Sequence, residues 1–220
     1  AEDDPDLATA WSSISEQQIN RFLHVPESSL DLVQKNKMQR RMGQLTGTCF
    51  QRCAGLDTLS VLFSITYDID KQHGTPYHER FVSFLKKAQS HNLIVGAGMT
   101  DPKGDRSKRP SNQSDPDLFM HVTRRTKEGL YVKGAKAHMT GGLNSHWICV
   151  MPTMNMLEAD KDYAVIGMVP ATASGLTYVY GRQSCDTRAL EPGDIDKGNA
   201  KYGGQETLVI FDDVFIPWAH

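Results

Sequence analysis

Cys49-Phe50-Gln51-Arg52-Cys53 sets two thiols four residues apart. On a continuous helix that spacing places both on one face, with Cβ atoms roughly 6 Å apart. Two thiolates so placed can take two corners of one metal cluster, but iron–sulfur clusters usually have four ligands. The same thiols can equally be small buried hydrophobes in an apolar stripe. A redox disulfide is disfavoured, because the usual motif has two intervening residues. Three further stretches carry polar chemistry. Met99-Thr100-Asp101-Pro102-Lys103-Gly104-Asp105-Arg106 follows an apolar run and is dense in turn formers. Its backbone N–H groups, Lys103 and Arg106 can receive a cofactor phosphate or a ring edge, and its other reading is an ordinary turn. Gly134 to His146 combines small residues, which let a flat ligand approach the backbone, with the polar groups of His138, Thr140, Asn144 and His146. A polar hairpin is the alternative there. Gly203-Gly204-Gln205-Glu206 precedes a strand-like run, and Glu206 is either a buried acid/base or a solvated carboxylate. The polar run Arg182 to Arg188 surrounds Cys185, with no base identifiable beside it.

The elements that must position these groups change type along the chain. Pro26 and Ser28-Ser29 precede a long helical pattern, with Ser29 or Asp31 as the expected cap. Met38, Met42, Leu45, Cys49, Cys53, Leu56, Leu59 and Phe63 recur every three or four residues, as one stripe of a helix. Gly43, Gly47 and Gly55 interrupt it at about 1 kcal/mol each, which close backbone packing would offset. Gly74 and Pro76 end this run. A second amphipathic helix carries Tyr77, Phe81, Phe84, Leu85 and Ala88 on its apolar side. From Leu93 onward short β-type runs alternate with turns: Leu93–Met99, Leu118–Val122, Leu130–Lys133, Trp147–Met151, Tyr163–Val169, Thr177–Tyr180 and Glu206–Phe215. Strands at that spacing suggest a barrel or sandwich. The fold class is therefore α+β, with a boundary near residues 91–96.

Composition removes several classes of function. Among 220 residues, acids and bases nearly balance at a net charge of −2, so nothing favours nucleic acid. No apolar run is long enough to span a membrane. Without a secretory pattern, the four cysteines do not suggest a disulfide framework. The acidic start lacks an initiator methionine, and the sequence stops just after a strand-like run, so a fragment of a longer protein is expected.

Taken together, Thr48–Cys53, Met99–Arg106, Gly134–His146, Tyr180–Arg188 and Gly203–Glu206 resemble the 4-hydroxybutyryl-CoA dehydratase/vinylacetyl-CoA delta-isomerase family. That family lies within the superfamily of flavin-dependent 4-hydroxyphenylacetate 3-monooxygenases. The resemblance runs from about Lys35 to Pro217, and it tips the reading of the cysteine pair and of the first loop towards ligand binding. It implies an acyl-CoA dehydrogenase-like fold. Residues 1–95 would form a partial N-terminal helical domain, residues 96–220 a flavin-binding middle β-barrel domain, and the C-terminal helical bundle would be absent. It implies FAD and a [4Fe–4S] cluster held by three cysteines and one histidine. Cys49 and Cys53 match the first two ligands. The others fall in a stretch that follows the end of this sequence, so neither Cys149 nor Cys185 is nominated.

By the same resemblance, Met99, Thr100, Asp101, Pro102, Lys103, Gly104, Asp105, Arg106, His138, Met139 and Thr140 contact the flavin. Glu206 and Thr140 are the catalytic candidates. Trp147-Ile148-Cys149 departs from the family's more polar pattern there. The implied reaction converts 4-hydroxybutyryl-CoA to crotonyl-CoA by a flavin and cluster radical route, in a cytoplasmic homo-oligomer, a tetramer by resemblance. A fragment lacking two cluster ligands would be inactive alone. The rivals are a flavin-dependent aromatic-ring monooxygenase of the same superfamily and a non-catalytic cofactor-binding subunit.

Overall fold

The computed structural model describes residues 5–48, 53–181, 201–202 and 206–220. The chain divides into two compact units, the first made of Ala1–Ile94 with Gln183–Gly204 and the second of Val95–Arg182 with Gln205–His220.

In the first unit a short helix α1 (Pro5–Ala8) leads into the antiparallel hairpin β1 (Thr9–Ser12) and β2 (Gln17–Asn20). This hairpin lies in the half expected to be helical. Its strands are only four residues long, too short for alternation to stand out from a helical background. Helix α2 (Ser29–Thr46) starts on a capping box. Ser28 accepts from the Asp31 N–H at 3.3 Å, and Asp31 accepts in return from the Ser28 N–H at 2.9 Å. The cap thus sits one residue before Ser29, and Asp31 is its reciprocal partner.

The expected single stripe from Met38 to Phe63 is divided between two helices. Gly47 adopts the left-handed conformation, φ 63°, and its N–H closes on the Gly43 carbonyl at 2.8 Å. Glycine takes that shape without a Cβ penalty, so it ends α2. Helix α3 (Cys53–His73) then begins afresh. Gly43 has open space where a Cβ would stand, so close packing does not account for it. Helix α4 (Tyr77–Ser90) buries Phe81, Phe84, Leu85 and Ala88 as its periodicity predicts, while Tyr77 is exposed. Asp70 organises the α3–α4 turn by accepting from Thr75 Oγ1 and from the Tyr77 and His78 N–H groups. Buried Gln89 accepts from Ser12 Oγ at 2.8 Å and donates to the Leu23 carbonyl at 3.0 Å, tying α4 to the hairpin.

The second unit holds two sheets. β3 (Val95–Gly98), β6 (Trp147–Val150) and β7 (Gly167–Pro170) form one, with β3 parallel to the central β6. β4 (His121–Arg125), β5 (Gly129–Thr140), β9 (Glu206–Pro217) and β8 (Leu176–Val179) form the other, antiparallel throughout. Among the described residues these are open sheets and not a closed barrel. They share a core to which Ile148, Val150 and Val169 come from the first sheet and Val132, Val209 and Phe211 from the second. β5 is much longer than the expected Leu130–Lys133. It takes in Gly134 to Thr140 of the small-residue stretch whose alternative reading is a polar hairpin, because two register shifts let twelve residues follow β9. At the first shift Gly134 has φ 119°, and a Cβ there would lie 2.4 Å from the Phe119 carbonyl oxygen.

Cys149 is fully buried in β6, and burial pushes its thiol up to about 12. Mass mapping after iodoacetamide treatment at pH 8 is expected to find Cys149 unmodified in the native chain and modified only after unfolding. Labelling of native Cys149 would contradict its placement. Among the described residues, no helix is long and apolar enough to cross a membrane.

Candidate functional site

Strand parity explains the most unusual residue of the second unit. Val132, Gly134 and Lys136 alternate along β5 and are all buried, so a lysine is carried into the interior between small neighbours. Lys136 is only 2% exposed. Its Nζ donates to Asp101 Oδ1 at 2.5 Å, to the Met151 carbonyl at 2.8 Å and to the Met99 carbonyl at 3.2 Å. Thr153 Oγ1 donates to Asp101 Oδ2 at 3.0 Å, so both carboxylate oxygens are bonded. Burial lowers the Lys136 pKa from its usual value, and the Asp101 charge opposes that shift. Asp101, expected against a flavin, has both carboxylate oxygens engaged by Lys136 and Thr153.

After Lys136 the strand bulges. The second register shift runs from Lys136 to Met139, and His138 sits at φ 49°, an uncommon conformation for a non-glycine residue. The Ala137 N–H donates to the Thr100 carbonyl at 2.8 Å, so the bulge is bonded to the loop that follows β3. His138 points outward, whereas the Met139 side chain is fully buried. A Cβ on Gly98 would stand 2.8 Å from Met139 Cε, so β3 passes close against it. Of Met139, only the backbone remains for a ligand. Beyond the bulge, Thr140 pairs with Glu206 across β5 and β9, and Thr140 Oγ1 donates to Glu206 Oε1 at 2.8 Å.

The remainder of the first loop is held by its own polar groups. Gly104 has φ 49°, and a Cβ there would collide with Leu118 Cδ2 at 2.4 Å. Gln113 accepts from the Asp105 N–H and donates to the Asp105 and Lys108 carbonyls. Asp105 caps Ser107, Pro102 is half-buried, and Met99, Lys103 and Arg106 are exposed. The structure thus brings Met99–Asp101, the His138 bulge, Thr140 and Glu206 onto adjoining elements, with the Lys103–Arg106 turn continuing from them.

The cysteine pair was expected on one helix. Cys53 is the first residue of α3, and Cys49 lies outside the described residues. Helix α2 closes at Gly47, before either cysteine. Cys185, its flanking run and Gly203–Gln205 also lie outside the described residues. Among the described residues, no group of three or more His, Cys, Asp or Glu is arranged to hold a metal ion.

A second buried charge was not foreseen. Asp160 is fully buried, and its Oδ2 accepts from Arg109 Nε at 2.7 Å and from the Leu157 N–H at 3.2 Å. Its Oδ1 accepts from Ser111 Oγ at 2.7 Å and from the Ser111 N–H at 3.1 Å. Burial opposes ionisation here, but the bonds from Ser111, Arg109 and Leu157 outweigh it and bring Asp160 down to about 2. Parity along β5 was the one signal that could have revealed Lys136; nothing local marks Asp160.

Residues 1–220 match the family described as 4-hydroxyphenylacetate 3-hydroxylase N terminal. The chain is 54% identical over 213 residues to the 4-hydroxybutyryl-CoA dehydratase/vinylacetyl-CoA-Delta-isomerase of Clostridium aminobutyricum, covering 96% of this chain and 44% of that protein. It is 27% identical over 145 residues to the oxygenase component of 4-hydroxyphenylacetate 3-monooxygenase of Thermus thermophilus, covering 64% of this chain and 29% of that protein. Among solved structures, the oxygen-tolerant archaeal 4-hydroxybutyryl-CoA dehydratase from N. maritimus superposes with a TM-score of 0.93 at 59% identity, over 100% of this chain and 44% of that one. The oxygenase component of 4-hydroxyphenylacetate 3-monooxygenase complexed with FAD and 4-hydroxyphenylacetate shares the fold, with a TM-score of 0.75 at 20% identity over 100% of this chain and 44% of that one. The chain therefore spans less than half the length of these relatives.

Proposed function

We propose, from the premise that this chain belongs to the 4-hydroxyphenylacetate 3-hydroxylase N-terminal family, that it serves the dehydration of 4-hydroxybutyryl-CoA to crotonyl-CoA, with the associated vinylacetyl-CoA isomerisation. The observation that carries this reading is the Thr140–Glu206 pair, a carboxylate oriented by a hydroxyl beside the first loop. The choice of substrate class follows the stronger likeness, 54% identity to a dehydratase against 27% to a monooxygenase. The proposed whole is a cytoplasmic tetramer with an acyl-CoA dehydrogenase-like plan, its middle domain completed as a barrel around this second unit.

The residues present fit a flavin. Lys103 and Arg106 stand exposed on a braced turn and suit diphosphate oxygens. Gly141, directly after Thr140, keeps the backbone open to a flat ring. Cys49 and Cys53 offer the soft thiolate donors that an iron–sulfur cluster takes. When bound, the flavin supplies one-electron redox chemistry and the cluster a Lewis-acidic iron.

The chain's own groups bind, orient and move protons. Glu206 takes the proton from the carbon beside the thioester. The Thr140 hydroxyl fixes that carboxylate's rotamer through Oε1. Met99 and His138 stand exposed on the loop after β3 and on the β5 bulge.

The test uses the gene product that carries this sequence, prepared without oxygen. Iron and sulfide at about four each per chain, bound flavin, and conversion of 4-hydroxybutyryl-CoA are the expected results. A cluster-free protein that hydroxylates 4-hydroxyphenylacetate would replace this reading with the monooxygenase one.

A further inference from the structure

We propose that Lys136 is a positioning residue that sets the backbone from Met99 to Asp101 and across the His138 bulge. Three observations combine. First, the Lys136 ammonium is spent on three acceptors from two segments: Met99 and Asp101 after β3, and Met151 after β6. Second, Asp101 turns its remaining oxygen to Thr153, so the ion pair is closed and offers nothing to a ligand. Third, the residue directly after Lys136 bonds the same loop through its backbone, Ala137 N–H to the Thr100 carbonyl. A side-chain tie and a main-chain tie thus join one loop to one bulge, and regular pairing resumes at Met139 and Thr140, the latter the partner of Glu206.

Hydrophobic burial does not require this arrangement. A buried ion pair is in general no more stabilising than a well-packed apolar pair of similar size, and can be less so. What it adds is direction, because three donor–acceptor distances fix a loop that apolar contacts would let slide. His138 at φ 49° carries local strain that the surroundings must hold, and the two ties enclose it. The consequence for cofactor binding rests on the flavin reading above. The consequence for the backbone does not.

The test separates the two. Lys136→Met combined with Asp101→Asn removes both charges and leaves no single charge stranded. Amide exchange is followed by hydrogen–deuterium exchange mass spectrometry on the gene product that carries this sequence, with FAD binding titrated in parallel. Exchange at Ala137 is expected to accelerate about 100-fold in the variant, with Val209 and Phe211 of β9 changing less than about threefold. FAD binding is expected to weaken about tenfold.

Unchanged exchange at Ala137, or equal acceleration in every strand, would overturn the proposal, because a merely structural pair loosens the whole unit. Local loosening with unchanged FAD affinity would overturn the role toward the cofactor and leave the flavin reading standing. If the unaltered gene product binds no FAD, the flavin reading of this surface fails, and the exchange pattern still decides the role of Lys136. Should the double variant not fold, Thr153→Val keeps both charges and removes one bond. It is expected to accelerate Ala137 about three- to tenfold, and no acceleration would refute the proposal.

Discussion

Glu206→Gln is expected to lower turnover of 4-hydroxybutyryl-CoA by roughly 100- to 10,000-fold, the range a positioned general base supplies, with the fold unchanged. Glutamine has the same shape as glutamate and retains an oxygen for the Thr140 hydroxyl, so the 2.8 Å bond has a replacement acceptor. The backbone of Glu206 is the first rung of β9 opposite Thr140, and the substitution leaves that ladder intact. What disappears is the capacity to take a proton. Thr140→Val separates positioning from chemistry, since it keeps the carboxylate and removes one hydrogen bond. Its expected loss is about tenfold. Single-turnover assays on the gene product, paired with thermal unfolding by circular dichroism, measure both. If Glu206→Gln loses less than about tenfold in rate, Glu206 is not the base and another group must be sought on the same surface.

The largest stability effect is expected at Asp160. Asp160→Asn should destabilise the chain by about 3 kcal/mol, because the amide cannot serve both halves of its network. With the amide nitrogen at the Oδ2 position, it would face Arg109 Nε and the Leu157 N–H, donor against donor. Turned the other way, it would abandon the Ser111 hydroxyl and N–H. Arg109 is about one-third exposed, so solvent screens its charge. The larger share of the cost comes from the buried bonds to Ser111 and Leu157.

The pH dependence follows from the sign of the shift. Asp160 is held at about 2 in the folded chain, below its ordinary 3.8. The stability it contributes is fully present above pH 4 and is lost as the pH falls through the folded value. Urea unfolding at pH 7 and at pH 3 should therefore show the gap between native and variant narrowing in acid. A constant gap across that interval would mean that Asp160 is not ionised in this network.

Parts of this molecule are readable along the chain because their causes are local. Ser28 and Asp31 cap each other three residues apart, and Gly74, at φ 67°, closes α3 where the sequence predicts an end. The apolar side of α4 and the start of β9 at Glu206 follow from spacing alone. The helical pattern gives way to strand pattern near Leu93, between the end of α4 at Ser90 and the start of β3 at Val95. Thr140 and Glu206 are readable only as separate residues carried by a resemblance.

Their union is a matter of register. Two shifts along β5 decide which residue faces which on β9, and they bring together side chains 66 positions apart. The same holds for Lys136 and Asp101, and for Asp160 with Arg109 and Ser111, whose partners lie 35 to 51 residues away. The break at Gly47 has a related origin, since a glycine inside a helical stripe marks either a packed helix or its end, and periodicity does not distinguish them. By itself the sequence determined where helices start, where strands alternate and which polar residues stand ready. Only the tertiary structure decided which charges are buried and which hydroxyl meets which carboxylate, because bulges and strand register are set by contacts between distant segments.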